Sequence, residues 1–279
     1  MIEKLTTVEN LRWHLEAGVD ESIGDTPVDR FAEVQKVSSP TPAPMPAAVS
    51  SPTPPKPGAP KLPDRATARP AAPIVADHLL REAWGLAESA TTVDELRQAV
   101  TGYDGCGLKK MATTTVFGDG NVNARIVFIG EGPGAEEDRQ GLPFVGPGGQ
   151  LLYKMLGSIG LDRSNVYISN TVFWRPPGNR TPTAAETALC MPFVERLVEL
   201  IDPDILVTLG APAAKAMLAQ SSGVGRLRGK WFTYSTPRLS RPVQATALFH
   251  PSYLLESSAH KRETWADLLV IRDKLSGLS

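Results

Sequence analysis

The chain has only two cysteines, Cys106 and Cys190, in 279 residues. Two are too few for a disulfide framework. It also lacks any apolar run near the roughly 18 residues that a membrane-spanning helix needs, so no membrane partner is expected. Met1-Ile2-Glu3-Lys4 has neither a basic start nor a following apolar stretch, and a cytoplasmic protein is the expectation. Net charge is equally scarce. At -1, composition supplies no general attraction to nucleic acid, and such a partner would have to be met by a local basic patch. Internal repeats are absent too.

What is present suffices for a core. Hydrophobic residues make up 42% of the chain, and the length allows one good-sized domain or two small ones. Residues 1–36 read as an N-terminal helical segment, with Thr6-Thr7-Val8-Glu9 as a capping-box start and Val8, Leu11, Leu15 and Val19 on one face. That helix is too short to bury its face alone, which leaves docking on the main domain, an unidentified protein partner, or marginal order. Residues 37–73, rich in Pro, Ala, Ser and Thr, read as a linker with polyproline character. Order is expected to resume near Ile74 and to fill residues 74–279.

In that part, strands and helices alternate. Ile126–Ile129, Val166–Ser169, Ile205–Leu209 and Ala245–Phe249 read as strands. Gln150–Leu156, Met191–Leu197 and Ala211–Leu218 read as helices between them, and Thr92-Val93-Asp94-Glu95 as a capping box. The order predicts a parallel sheet covered on both faces by helices.

The organising stretch runs from Ile126 through Gly130-Glu131-Gly132-Pro133-Gly134 to Glu136-Glu137-Asp138 and Phe144. An apolar strand, a glycine-rich corner and clustered acids suggest a site at the carboxyl end of a sheet strand. A dinucleotide fingerprint is a poor match, because its backbone N–H groups hold an anion that three acids would repel. The acids either cap a helix, where the dipole favours them by about 0.3–1 kcal/mol, or serve a reaction that develops positive charge or needs an oriented water. Cleavage of an N-glycosidic bond does both. Asn170, at a strand end, has an amide that can donate and accept, suited to a base edge or to a turn. His250 follows an apolar strand and precedes Pro251, where a structural and a functional reading stand level.

Taken together, Gly130-Glu131-Gly132-Pro133-Gly134, Glu137-Asp138-Arg139-Gln140-Gly141-Leu142-Pro143-Phe144-Val145-Gly146, Val166-Tyr167-Ile168-Ser169-Asn170, Trp174-Arg175-Pro176-Pro177-Gly178-Asn179-Arg180 and His250-Pro251-Ser252-Tyr253-Leu254-Leu255 resemble the family 4 uracil-DNA glycosylases. The resemblance covers roughly residues 95 to 275. It implies an α/β/α sandwich with a central four-stranded parallel sheet, and removal of uracil from DNA by base flipping. By position it gives Phe144 the stacking face for uracil, Asn170 its polar edge, and His250 a hydrogen bond to uracil O2. Glu131, Gly132 and Glu137 match the motif. Glu137 is the expected residue for orienting water or stabilising the sugar cation, with Glu131 shaping the pocket and Asp138 a lesser choice. A non-catalytic uracil- or abasic-site-binding protein is the alternative.

The same family holds an iron–sulfur cluster on four cysteines. At those positions this chain has Tyr103, Cys106, Trp174 and Cys190, and two thiolates do not make the usual four-ligand set, so no cluster is expected. DNA contact is expected from Arg226, Arg228 and Lys230 among glycines, extended by Arg175, Arg180, Lys261 and Arg262. Leu254 and Leu255 are expected either to wedge into the duplex or to pack in the core. A monomer is expected.

Overall fold

The computed structural model describes residues 72–278. The expected helix from Thr6 and nearly all of the proline-rich linker lie outside the described residues. Helix α1 (Ala72–Ser89) and helix α2 (Val93–Gly102) open the fold. The predicted capping box is half formed. The Thr92 hydroxyl accepts from Glu95 N–H at 3.2 Å, while the Glu95 carboxylate reaches one residue further back, accepting from both N–H and hydroxyl of Thr91 at 2.7 Å.

The sheet has six strands: β1 (Gly118–Gly120), β2 (Ile126–Gly130), β3 (Tyr167–Asn170), β4 (Ile205–Leu209), β5 (Phe232–Tyr234) and β6 (Val243–Leu248). Their order is β1-β3-β2-β4-β6-β5. The central four, β3-β2-β4-β6, are parallel, as expected. The two antiparallel edges, β1 on β3 and β5 on β6, correct the four-stranded expectation. Each edge strand is three residues long, and β1 reads Gly-Asp-Gly. β1 carries no apolar pattern from which a strand is read, and β5, although its Phe-Thr-Tyr suits a strand, is too short to show a period.

Both faces of the sheet are buried, which explains why Ile126 to Ile129 is a continuous apolar run rather than an alternation. Val127, Ile129, Leu206 and Ala245 pack toward α1, α2 and helix α5 (Ala184–Ile201). Ile126, Phe128, Ile205 and Val207 point the other way, against Leu152 and Leu156 of helix α4 (Pro147–Gly157) and Leu268 and Ile271 of helix α9 (Lys261–Gly277). Period-two side chains with helices on both faces give the α/β/α sandwich. Between these elements lie α3 (Ala135–Gln140), α6 (Ala211–Leu218), α7 (Val224–Leu227) and α8 (Pro251–Glu256).

The cation-bearing segment after Gly223 is not a free loop. It contains α7, and Arg228 folds back onto α9. Its Nε donates to Asp267 at 2.8 Å, and its Nη2 donates to the second Asp267 oxygen at 3.1 Å and to the Glu263 carbonyl at 2.9 Å. Burial pushes the Asp267 carboxyl up, and the Arg228 charge opposes that shift. Arg228 is therefore a strut of the fold, which corrects its placement among phosphate-contacting cations. Leu254 is corrected likewise: it is fully buried, whereas Leu255 is 46% exposed. Removing Arg228 strands the buried Asp267 charge, so Arg228→Ala is expected to cost about 3 kcal/mol in denaturant unfolding. Arg226→Ala, at an exposed position, is expected to leave the unfolding midpoint unchanged.

Candidate active site

A cavity of about 600 Å³ opens at the carboxyl ends of the parallel strands, where open α/β sheets place their ligands. The end of β2 supplies Glu131 and Gly132, the end of β3 supplies Asn170, and the residues after β6 supply His250 and Ser252. Glu137 of α3, Phe144 and the glycine-rich start of α4 complete the near wall. Pro176, Asn179, Arg180, Thr181 and Pro182 form the far one.

Glycines let these elements meet. A Cβ on Gly130 would lie 2.4 Å from Asn170 Oδ1 and 2.6 Å from the Phe144 ring. A Cβ on Gly149 would lie 1.8 Å from the Phe144 carbonyl oxygen, and one on Gly132 would lie 2.8 Å from Val172. Phe144 has a φ of +54°, a left-handed conformation that costs a non-glycine residue energy unless its surroundings enforce it. The enforced backbone aims the ring at the cavity, with its centroid 5.9 Å from that of His250.

The acids divide sharply. Glu137 accepts from Gly134 N–H at 3.1 Å with one oxygen and from Gly146 N–H at 2.8 Å with the other. It is held rigidly, facing the cavity. Glu131 also lines the cavity, and its backbone carbonyl is fixed by the Thr171 hydroxyl at 2.6 Å. Asp138 does not face the cavity. It is buried, and one oxygen accepts from Thr113 N–H at 2.8 Å and Thr114 N–H at 3.1 Å. Glu131 and Glu137 therefore line the cavity and Asp138 does not, which corrects the expectation that Asp138 serves the site: its carboxylate pins α3 to the preceding segment.

Asn170 is 1% exposed, and its Oδ1 has no hydrogen-bond partner among the described residues. A buried acceptor left unpaired costs about 1–3 kcal/mol, which marks a position that a ligand donor would fill. His250 Nδ1 accepts from Ser252 N–H at 3.2 Å. In the neutral ring the proton then sits on Nε2 as a donor. Burial holds the His250 imidazole below its ordinary value of 6.5, and the Glu137 charge raises it in partial opposition. Ser252, which fixes this tautomer, Gly148, which admits Ser252, and Gly149, which admits the Phe144 loop, were not singled out from sequence. Tight glycine packing after a Pro at a helix start was their available signal.

The four positions that the resemblance assigns to cluster ligands lie together in one buried cluster. Cys106 and Cys190 are fully buried; Tyr103 and Trp174 are each 1% exposed. The Tyr103 hydroxyl donates to the Leu79 carbonyl at 2.9 Å, and Trp174 Nε1 donates to the Thr115 hydroxyl at 3.0 Å. A hydrogen bond from Cys190 holds the Cys106 thiol below its usual range, and the same contact with burial pushes Cys190 well above it. With two thiols and two satisfied aromatic side chains, this donor set does not fit a four-thiolate cluster.

The fold and the site define an α/β sandwich with a polar pocket at the carboxyl ends of its parallel strands. The description "Uracil DNA glycosylase superfamily" matches residues 117–269, and the chain belongs to that superfamily. It is 42% identical over 157 residues to the Type-4 uracil-DNA glycosylase of Thermotoga maritima, a match spanning 56% of this chain and 79% of that protein. The Type-4 uracil-DNA glycosylase of Archaeoglobus fulgidus is 38% identical over 180 residues, spanning 63% and 89%. A Type-5 uracil-DNA glycosylase of Pyrobaculum aerophilum is 33% identical, spanning 54% and 71%.

Because the Glu137 anion is what raises the His250 pKa, Glu137→Gln is expected to lower it further. An NMR titration of the imidazole reads this directly. A His250 pKa that rises in the variant would contradict the geometry.

Proposed function

We propose that this chain hydrolyses the bond between uracil and deoxyribose in DNA, by base flipping, and leaves an abasic site. The observation that carries the reading is the unpartnered Asn170 Oδ1, buried in the cavity beside the Phe144 ring. Uracil presents an N–H at N3 to that oxygen and a carbonyl at O4 to the amide nitrogen. Cytosine presents an acceptor at N3 and a donor at N4, and would leave buried groups unpaired. Phe144 supplies the stacking face. The relatives' names agree.

As the C1′–N1 bond breaks, its electron pair moves to the base and charge grows on O2, where the His250 Nε2–H donates. The sugar becomes cationic, and the fixed Glu137 anion stabilises it and orients the attacking water, whose oxygen bonds to C1′ as one of its protons passes to Glu137, while the uracil leaves as an anion that takes up a proton. Glu131 is the second acid of the pocket. Arg226 and Lys230, exposed and without ion-pair partners among the described residues, meet phosphates.

The reaction needs no redox group or metal, and the chain is proposed to work without an iron–sulfur cluster. Tyr103 and Trp174 fill that volume. A cytoplasmic monomer remains the reading of the whole, with residues 1–36 docking on the main domain or engaging an unidentified partner and residues 37–73 as a tether to the catalytic domain 74–279. Among the described residues no helix is long and apolar enough to cross a membrane.

Alkali-labile breaks at uracil, with multiple turnovers, are the expected result on an oligonucleotide containing one uracil. A stable complex without breaks would instead mean a binding protein. Asn170→Ala is expected to abolish uracil selectivity, and normal excision by that variant would sink the assignment. On the metal question, the purified chain is expected to show no iron-dependent visible absorbance band, and Cys106→Ser is expected to remain active. An iron band that disappears together with activity in that variant would reverse the conclusion.

A further inference from the structure

Beside the pocket lies a second surface that the excision chemistry does not use. Tyr253 of α8 neighbours the pocket-lining Ser252 and is 39% exposed, large for an aromatic ring. Two other rings support it from within. Its centroid is 5.3 Å from that of Phe249 at an interplanar angle of 30°, and 5.5 Å from that of His260 at 27°. Phe249 and His260 are themselves 4.8 Å apart. The three rings form a closed triangle, so Tyr253 cannot swing away without losing two ring contacts. An exposed ring held this firmly presents a fixed apolar face.

Exposed cations flank this ring cluster in the chain, while Glu256, one turn along α8, faces the pocket. Helix α7 abuts Phe249, since a Cβ on Gly225 would lie 4.0 Å from its ring, and Arg226 follows next in the chain. On the other side Lys261 and Arg262 come directly after His260. Arg226, Lys261 and Arg262 are exposed and have no ion-pair partner among the described residues. The nearby acid Glu263 is already engaged, 3.5 Å from Arg228 and 3.4 Å from His260. A buttressed aromatic face between free cations is the arrangement that holds single-stranded nucleic acid, by stacking bases and tracking phosphates.

We propose that Tyr253 is a stacking platform for a nucleobase flanking the one drawn into the pocket. The subsite takes an unpaired or partly unstacked base of any identity. It rests on the reading of uracil-containing DNA as substrate. Flipping a nucleotide breaks the stack on both sides, and a ring at the pocket's edge restores one of those lost faces. The platform makes single-stranded DNA a competent substrate.

The probe is a single-stranded oligonucleotide with one uracil and a fluorescent 2-aminopurine on its 5′ or its 3′ side. The unaltered chain is expected to quench the probe on one side only, and absence of quenching on both sides overturns the proposal. Tyr253→Phe, which keeps the ring, is expected to retain quenching and KM. Tyr253→Leu is expected to lose the quenching and raise KM by about 5-fold to 150-fold, the span of one base stack, while the single-turnover rate at saturation stays near that of the unaltered chain. A Leu variant with unchanged KM and quenching overturns the assignment. Quenching read on an abasic oligonucleotide reports stacking without any excision, so failure of the platform and failure of the glycosylase reading are separately visible.

Discussion

The Glu137 carboxylate is the constraint on which the site depends. One oxygen accepts from the first glycine-rich corner at Gly134 and the other from the second at Gly146. The corner after β2 and the turn that starts α4 are thereby held at fixed separation around the cavity. Phe144 lies between them in its left-handed conformation, so the clasp also helps maintain the strained backbone that aims the ring. A carboxylate braced in this way holds a preset position, and in the proposed mechanism it would need little reorganisation when charge develops on the sugar.

Behind this brace a second layer fixes α3 itself. Asp138, the next residue, holds the Thr113 and Thr114 amides, and the Thr114 hydroxyl donates to the Asp138 carbonyl at 2.6 Å. Thr115 is in turn the acceptor for Trp174. A continuous path of hydrogen bonds and chain therefore runs from the aromatic-filled region to Glu137 at the cavity. Tyr103 packs on Phe193 of α5 at 5.3 Å and hydrogen-bonds to α1. Where related proteins are expected to bind these segments through metal, this chain joins them through ring packing and satisfied polar atoms. The scaffold role survives a change of chemistry because it requires filled volume and fixed segment ends.

The central sheet was legible in the sequence because a strand buried on both faces leaves an unbroken apolar run, as Ile126 to Ile129 and Ile205 to Leu209 do. The two edge strands were not, since β1 is too short and too glycine-rich to leave a pattern. The site was legible in outline for a similar reason: glycines, acids and a strand-end Asn are local signals. What sequence could not resolve was direction. Glu137 and Asp138 are adjacent acids on one short helix, and only the turn of that helix sends the first to the cavity and the second to Thr113. Arg228 and Leu254 failed in the same way. Each has the right chemistry for DNA, yet Arg228 bends back to Asp267 and Leu254 points inward, while their neighbours Arg226 and Leu255 stay exposed.

The near-zero net charge conceals a division of sign across the surface. Glu131, Glu136, Glu137 and Glu256 line the cavity, and its one arginine, Arg180, is already paired with Glu186 at 2.7 Å. Such a cavity repels phosphate and admits a neutral base. The free cations sit outside it, on α7 and at the start of α9. A duplex lying across both regions would be held by its backbone at the cations and repelled at the cavity mouth. Rotating one nucleotide so that only its base enters relieves that conflict, because the phosphates remain outside. Under the proposed mechanism the same acids act only once the base is flipped, which ties the electrostatics of the cavity to the geometry of recognition.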